Sequence, residues 1–149
     1  MSVFRLMIAG RHGFVCGALL LALLASSGLA RAADSFPFDQ TLMLDIKPMP
    51  PVKRVPILIV EQNGDATIGL WCKTVRGRVD LTDTTMHIES NPLPEVLPQY
   101  MANGQCTDER MKADQDTLDA LKQVTSWRRQ GRVIVLNGAT PLKFRPSDN

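Results

Sequence analysis

From residue 42 onward, apolar and polar positions alternate in short runs separated by turn residues. Leu42, Leu44 and Ile46 interleave with Met43, Asp45 and Lys47, the period-two pattern of a strand with one buried face. Prolines 48, 50 and 51 break this run between Lys47 and Arg54, because proline cannot donate to a ladder. Val55 to Val60 is a short apolar run, and Asn63-Gly64 after it is a hairpin signal. Ala66, Ile68, Leu70 and Cys72 share one face of the next predicted strand, and Val75, Gly77, Val79 and Leu81 share one face of the strand after that. Thr82-Asp83 turns the chain, and Met86 and Ile88 continue the alternation with His87 outward.

The pattern then changes. Residues 90 to 106 show no period and hold Pro92, Pro94 and Pro98, and so long an irregular stretch is often functional or tied down. A helical period follows, with Met111, Leu118, Leu121 and Val124 on one stripe. Asp108 and Glu109 near its start and Arg128 and Arg129 near its end complement the helix dipole, and Gly131 is placed to terminate it. Val133 to Leu136, the Asn137-Gly138 turn, and Leu142 with Phe144 predict two final strands. The expected fold class is α+β: a curled antiparallel sheet, open and barrel-like, packed by one long helix in the C-terminal half.

The first 32 residues read differently. Arg5, Arg11 and His12 precede an uncharged apolar run from Phe14 to Ala25, and Ala30-Arg31-Ala32 supplies a small-x-small exit. These are the parts of a cleavable signal peptide, with cleavage between Ala32 and Ala33, which leaves residues 33–149 as one domain. An uncleaved N-terminal anchor is the alternative. Cys16 follows Gly13-Phe14-Val15, which is no lipoprotein triplet, so a soluble periplasmic or secreted product is expected. Cleavage removes Arg5, Arg11 and Arg31 and takes the 17 basic residues to 14 against 15 acidic ones, a net charge of −1. That balance, with six aromatic residues left, argues against a nucleic-acid partner. Cys72 and Cys106 then form an even pair in an oxidising compartment, and a disulfide is expected. It would close a loop of about 35 residues, for which chain entropy gives roughly 4 kcal/mol. Two buried thiols or a metal site are the alternatives, but His87 is the only histidine after the signal.

Candidate chemistry is sparse. His87 has no nucleophile in a recognisable context, Ser90 does not sit in a Gly-x-Ser-x-Gly turn, and no cofactor motif is present. No catalytic residue, cofactor or metal is therefore expected. Asp108, Asp114, Asp116 and Asp119 diverge around a helix and lack the other parts of a calcium loop, so they read as a solvated acidic face. Trp71 and Trp127 read as core or boundary residues before partner anchors. The candidate binding residues are Leu93, Val96, Leu97, Tyr100 and Met101 in the irregular stretch, with Lys53 and Arg54 beside the earlier proline loop. The five apolar residues could instead cap the open end of the sheet, and the two cations could simply solvate a sheet edge.

The segment from Cys106 through Thr107-Asp108-Glu109-Arg110-Met111 to Trp127, followed by a glycine turn, an apolar strand and Pro141-Leu142-Lys143-Phe144, resembles the C-terminal half of META domains. These are the HslJ-like proteins of the bacterial envelope. Gly69-Leu70-Trp71-Cys72 and Gly77 resemble that family's Gly-Cys-Asn…Gly element, with Lys73 in place of the asparagine. The resemblance spans about Leu42 to Phe144, and the segment before Cys106 is longer and richer in proline than the family pattern. It implies a small mixed α/β domain, often lipid-anchored, with links to heat shock and novobiocin tolerance and with no established enzyme activity. It also implies a fold similar to secretion-system pilot proteins, which hold a lipid tail in an open barrel. The expected function is thus non-enzymatic support of the cell envelope through contact with an envelope protein or lipid. The alternatives are a module binding lipid or a small ligand in the hollow between sheet and helix, and a secreted hydrolase inhibitor.

Overall fold

The computed structural model describes residues 35–50 and 53–147. The signal segment and the Ala32–Ala33 junction lie outside the described residues. The strands are β1 (Leu42–Leu44), β2 (Ile57–Val60), β3 (Asp65–Gly69), β4 (Thr74–Leu81) and β5 (Met86–Ser90), then β6 (Ser126–Gln130), β7 (Val133–Asn137) and β8 (Leu142–Pro146). Two helices, α1 (Pro98–Ala102) and α2 (Asp108–Lys122), lie between β5 and β6.

All eight strands join one antiparallel sheet in the order β5-β4-β3-β2-β1-β8-β7-β6. Its two outer strands meet where they begin. Thr85 bridges Ser126, the Met86 amide donates to the Thr125 carbonyl at 3.2 Å, and the Trp127 amide donates to the Thr84 carbonyl at 3.1 Å. The sheet is thereby a nearly closed barrel, which leaves little unpaired edge.

Alternation decides which side chains point inward. Leu42, Leu58, Ile68, Val79, Ile88, Leu136 and Phe144 are all buried in one continuous core. Gly77 is required inside this arrangement, because a Cβ there would lie 2.4 Å from the Glu89 carbonyl oxygen on β5. The expected hollow between sheet and helix is occupied by protein, since Leu118 and Leu121 of α2 pack into the same cluster as the strand residues.

The long helix is the main correction. α2 has 15 residues and ends at Lys122, with Gln123 as its C-cap. Arg128 and Arg129 lie on β6, and Gly131 at φ +61° turns the β6–β7 hairpin instead of stopping a helix. Two causes explain the early end. Val124 to Trp127 includes β-branched and aromatic residues suited to a strand, and β6 gains a complete ladder with β7, from Ser126 opposite Asn137 to Gln130 opposite Val133. Trp127 then points inward, packs edge-on against Phe36 at 5.2 Å, and donates its indole N–H to the Thr82 carbonyl at 2.9 Å. Smaller shifts follow proline. β1 stops at Leu44 and leaves Ile46 exposed, and β2 starts only after Pro56.

Candidate functional site

β3 ends at Gly69, and the chain makes a short loop through Trp71, Cys72 and Lys73 before β4. The expected β3 face therefore stops short of Cys72; Leu70 and Trp71 are buried and Cys72 is half-buried. The Leu70 amide closes the loop by donating to the Lys73 carbonyl at 2.7 Å.

α2 begins beside this loop. Thr107 is its N-cap and accepts from the Arg110 amide. One stripe of α2, at residues 110, 114, 118 and 121, is buried, and its first two members are charged. Asp114 is fully buried. Its carboxylate accepts the backbone amides of Trp71, Cys72 and Lys73, the last two at 3.1 Å. An ionised carboxylate is an acceptor with about four lone-pair sites, so one side chain satisfies a whole turn of loop donors. Burial pushes the Asp114 carboxyl above its ordinary value of 3.8, while these amides and the Lys73 charge pull the other way. The expected solvated acidic face is thus broken at Asp114, whereas Asp108 and Asp116 are exposed.

One turn earlier, Arg110 is also buried. Its guanidinium donates to the Gln105 carbonyl at 2.7 Å and to the Met49 carbonyl. Two side chains four residues apart thus bind three loops: the one before residue 51, the one between β3 and β4, and the segment that enters α2. The periodicity carried a signal for both. They lie on the Leu118–Leu121 stripe, so a buried role was legible once the helix face was drawn through residues 110 and 114.

Cys72 and Cys106 meet between these loops as free thiols, so the expected disulfide is not formed here. Cys72 Sγ reaches the carbonyl of Gln105, the residue before Cys106, at 3.7 Å. Burial, then the Cys106 side chain and the Asp114 charge, pushes the Cys72 thiol up to about 12, against the opposing pull of Arg110. Both cysteines line a groove of about 410 Å³ with Arg54, Trp71, Tyr100, Gln105 and Arg110.

A family model of the META domain matches residues 43–149. The chain belongs to the META domain family. Searches of curated proteins and of solved structures found no significant match.

The other candidates of this META domain divide. Arg54 joins the groove and donates to Thr74 Oγ1 at 3.2 Å, while Lys53 is exposed and outside the groove lining. Leu93 packs against the core, and Val96 is half-buried. Leu97, Tyr100 and Met101 are 54%, 43% and 47% exposed, on α1 and just before it. No residue of α1 is buried. His87 is exposed on β5 with Glu89 Oε1 3.7 Å from its Nε2. It faces a separate concavity of about 580 Å³ formed by the β2–β3 and β4–β5 hairpins. Among the described residues, no group of three or more His, Cys, Asp or Glu side chains could hold a metal.

Proposed function

We propose that this META-domain protein is exported and supports cell-envelope integrity under stress as a binding module, through the surface formed by Leu97, Tyr100 and Met101. The observation that carries the reading is the exposure of these three large apolar side chains together on one short segment. Exposed apolar clusters on small domains mark contact sites more often than isolated apolar residues do. The adjacent groove, which Tyr100 also lines, adds Arg54, so the contact combines apolar and polar groups in the way that protein interfaces do. An envelope protein fits this surface better than a lipid held inside the barrel, because the interior is filled by the protein's own side chains. In an oxidising envelope compartment Cys72 and Cys106 are expected to pair.

A deletion strain, complemented with wild type or with Leu97→Ser/Tyr100→Ser/Met101→Ser, tests this reading. Deletion should raise sensitivity to heat and to envelope-directed antibiotics, and the triple variant should fail to restore tolerance while accumulating normally. Unchanged sensitivity on deletion would overturn the envelope role. Full rescue by the triple variant would overturn the surface.

A further inference from the structure

The two thiols differ in a way that a purely structural disulfide does not need. Cys106 is buried and Cys72 is half-buried, although both line the same groove. The segment that Cys106 ends is held at that end. The Cys106 amide donates to the Tyr100 carbonyl at 2.9 Å, and the Gln105 carbonyl accepts from Arg110, while α1 itself buries no side chain. A covalent link at Cys106 would therefore act on the anchored end of the segment that displays Tyr100 and Met101. Its partner, Cys72, sits in a loop whose three amides are already gathered by Asp114.

We propose that Cys72 and Cys106 are a reversible thiol–disulfide switch, entered by an external disulfide through Cys72, that fastens the 97–106 segment to the β3–β4 loop. The functional consequence rests on the binding surface proposed above, because the switch would set how firmly that surface is held.

The reaction is exchange with a small disulfide, R–S–S–R. The Cys72 thiol loses its proton to solvent, and the thiolate attacks one reagent sulfur. The reagent S–S bond breaks, the first RS⁻ leaves and takes up a proton, and Cys72 carries a mixed disulfide. The Cys106 thiol loses its proton in turn, and its sulfur attacks the Cys72 sulfur and expels the second RS⁻, which is protonated. The two cysteines are oxidised by two electrons, and one reagent disulfide is reduced to two thiols. In the reverse direction an external thiolate reaches Cys72 from the groove and releases Cys106. Asp114 and Arg110 are positioning residues in this scheme: they hold the β3–β4 loop and the segment that enters α2. The high position of the Cys72 thiol makes uncatalysed exchange slow at neutral pH, with a rate that rises about tenfold per pH unit as the thiolate fraction grows.

The test uses purified protein in glutathione buffers of defined ratio, read by intact mass and peptide mapping. Wild type should lose about 2 Da as the intramolecular bond closes, and should regain it when the buffer is made reducing. Cys106→Ala should accumulate a glutathione adduct on Cys72, and Cys72→Ala should accumulate at least tenfold less adduct on Cys106. Limited proteolysis within residues 91–105 should slow in the oxidised protein. Equal adduct rates on the two single variants would overturn entry through Cys72. Failure to close, or failure to reopen under reducing buffer, would overturn the switch, and unchanged proteolysis would overturn the coupling to the 97–106 segment. None of these readouts depends on envelope phenotype, so a failed complementation experiment leaves the chemistry standing, and a failed exchange leaves the proposed surface standing.

Discussion

The first and last turns of α2 occupy one stripe of the same helix and meet opposite surroundings. Leu118 and Leu121 enter the barrel core among Leu42, Met86, Ile88 and Leu136. Arg110 and Asp114 enter a layer of backbone: carbonyls of residues 49 and 105 for the cation, and amides of residues 71–73 for the anion. The leucine half works through area, at about 1.5–3 kcal/mol for each fully buried side chain. The charged half works through satisfaction. Loops cannot make ladder bonds, so their amides and carbonyls are costly to bury unless a side chain meets them. One helix thus closes the barrel with its second half and organises the irregular loops with its first.

Substitutions along the stripe can break this contrast. Leu118→Ala should cost most, about 2–5 kcal/mol, because the packed barrel cannot collapse around the cavity. Denaturant unfolding with an unchanged slope would read this, and a cost below that of the polar half would end the comparison. Asp114→Asn should come next, at about 1–3 kcal/mol, since the carboxamide turns an N–H₂ group toward amides that need an acceptor. Asp114→Leu sharpens the point: a stability equal to wild type would mean that the loop amides find water and that the carboxylate is dispensable.

The same residue makes a pH prediction. The folded protein holds Asp114 at a raised pKa, so the fold binds this proton more tightly than the unfolded chain does. The Asp114 contribution should therefore be most favourable in acid and decline as pH rises from the ordinary 3.8 through the raised folded value. Thermal melts of wild type and Asp114→Asn across this range should show the difference between them moving against wild type as pH increases. A difference that does not vary with pH would refute the burial effect.

Two smaller effects bound the scale. Thr107→Ala removes the N-cap that starts the charged half and should cost about 0.5–2 kcal/mol, read by chemical denaturation. Lys112→Ala breaks the exposed ion pair with Asp116 at 2.6 Å and should change stability by less than about 0.5 kcal/mol, with less effect still at high salt.

The same division explains what could be read from the chain. Strands β4, β5 and β8 were legible from their alternation, and β2 and β7 from short apolar runs beside turn signals. The helix was legible at its start, where Asp108 and Glu109 complement its dipole, and illegible at its end. Val124 through Gln130 continue a helical stripe as plausibly as they begin a strand. Only the ladder with β7 and the inward seat of Trp127 separate the two. At the site, Cys72 and Cys106 were identified from count and compartment, and Arg54 and Tyr100 from their loops, and the structure gathers all four around one groove. Asp114 lies on the buried stripe of α2 but reads as solvated among the other helix carboxylates, and its three partners are backbone amides forty-odd residues away. No side-chain pattern announces a backbone partner.

Sequence by itself determined the antiparallel, curled sheet, the strand faces and the position of the helix start, because these depend on local periodicity and on charges near that end of the helix, while the likeness to META domains lay in its motifs. Only the tertiary structure decided where the helix stops, which of its acids is buried, that the barrel interior is filled, and that Cys72 and Cys106 line one groove. Each of those depends on what the far side of the fold offers: a ladder, a set of unpaired amides, or a neighbouring sulfur.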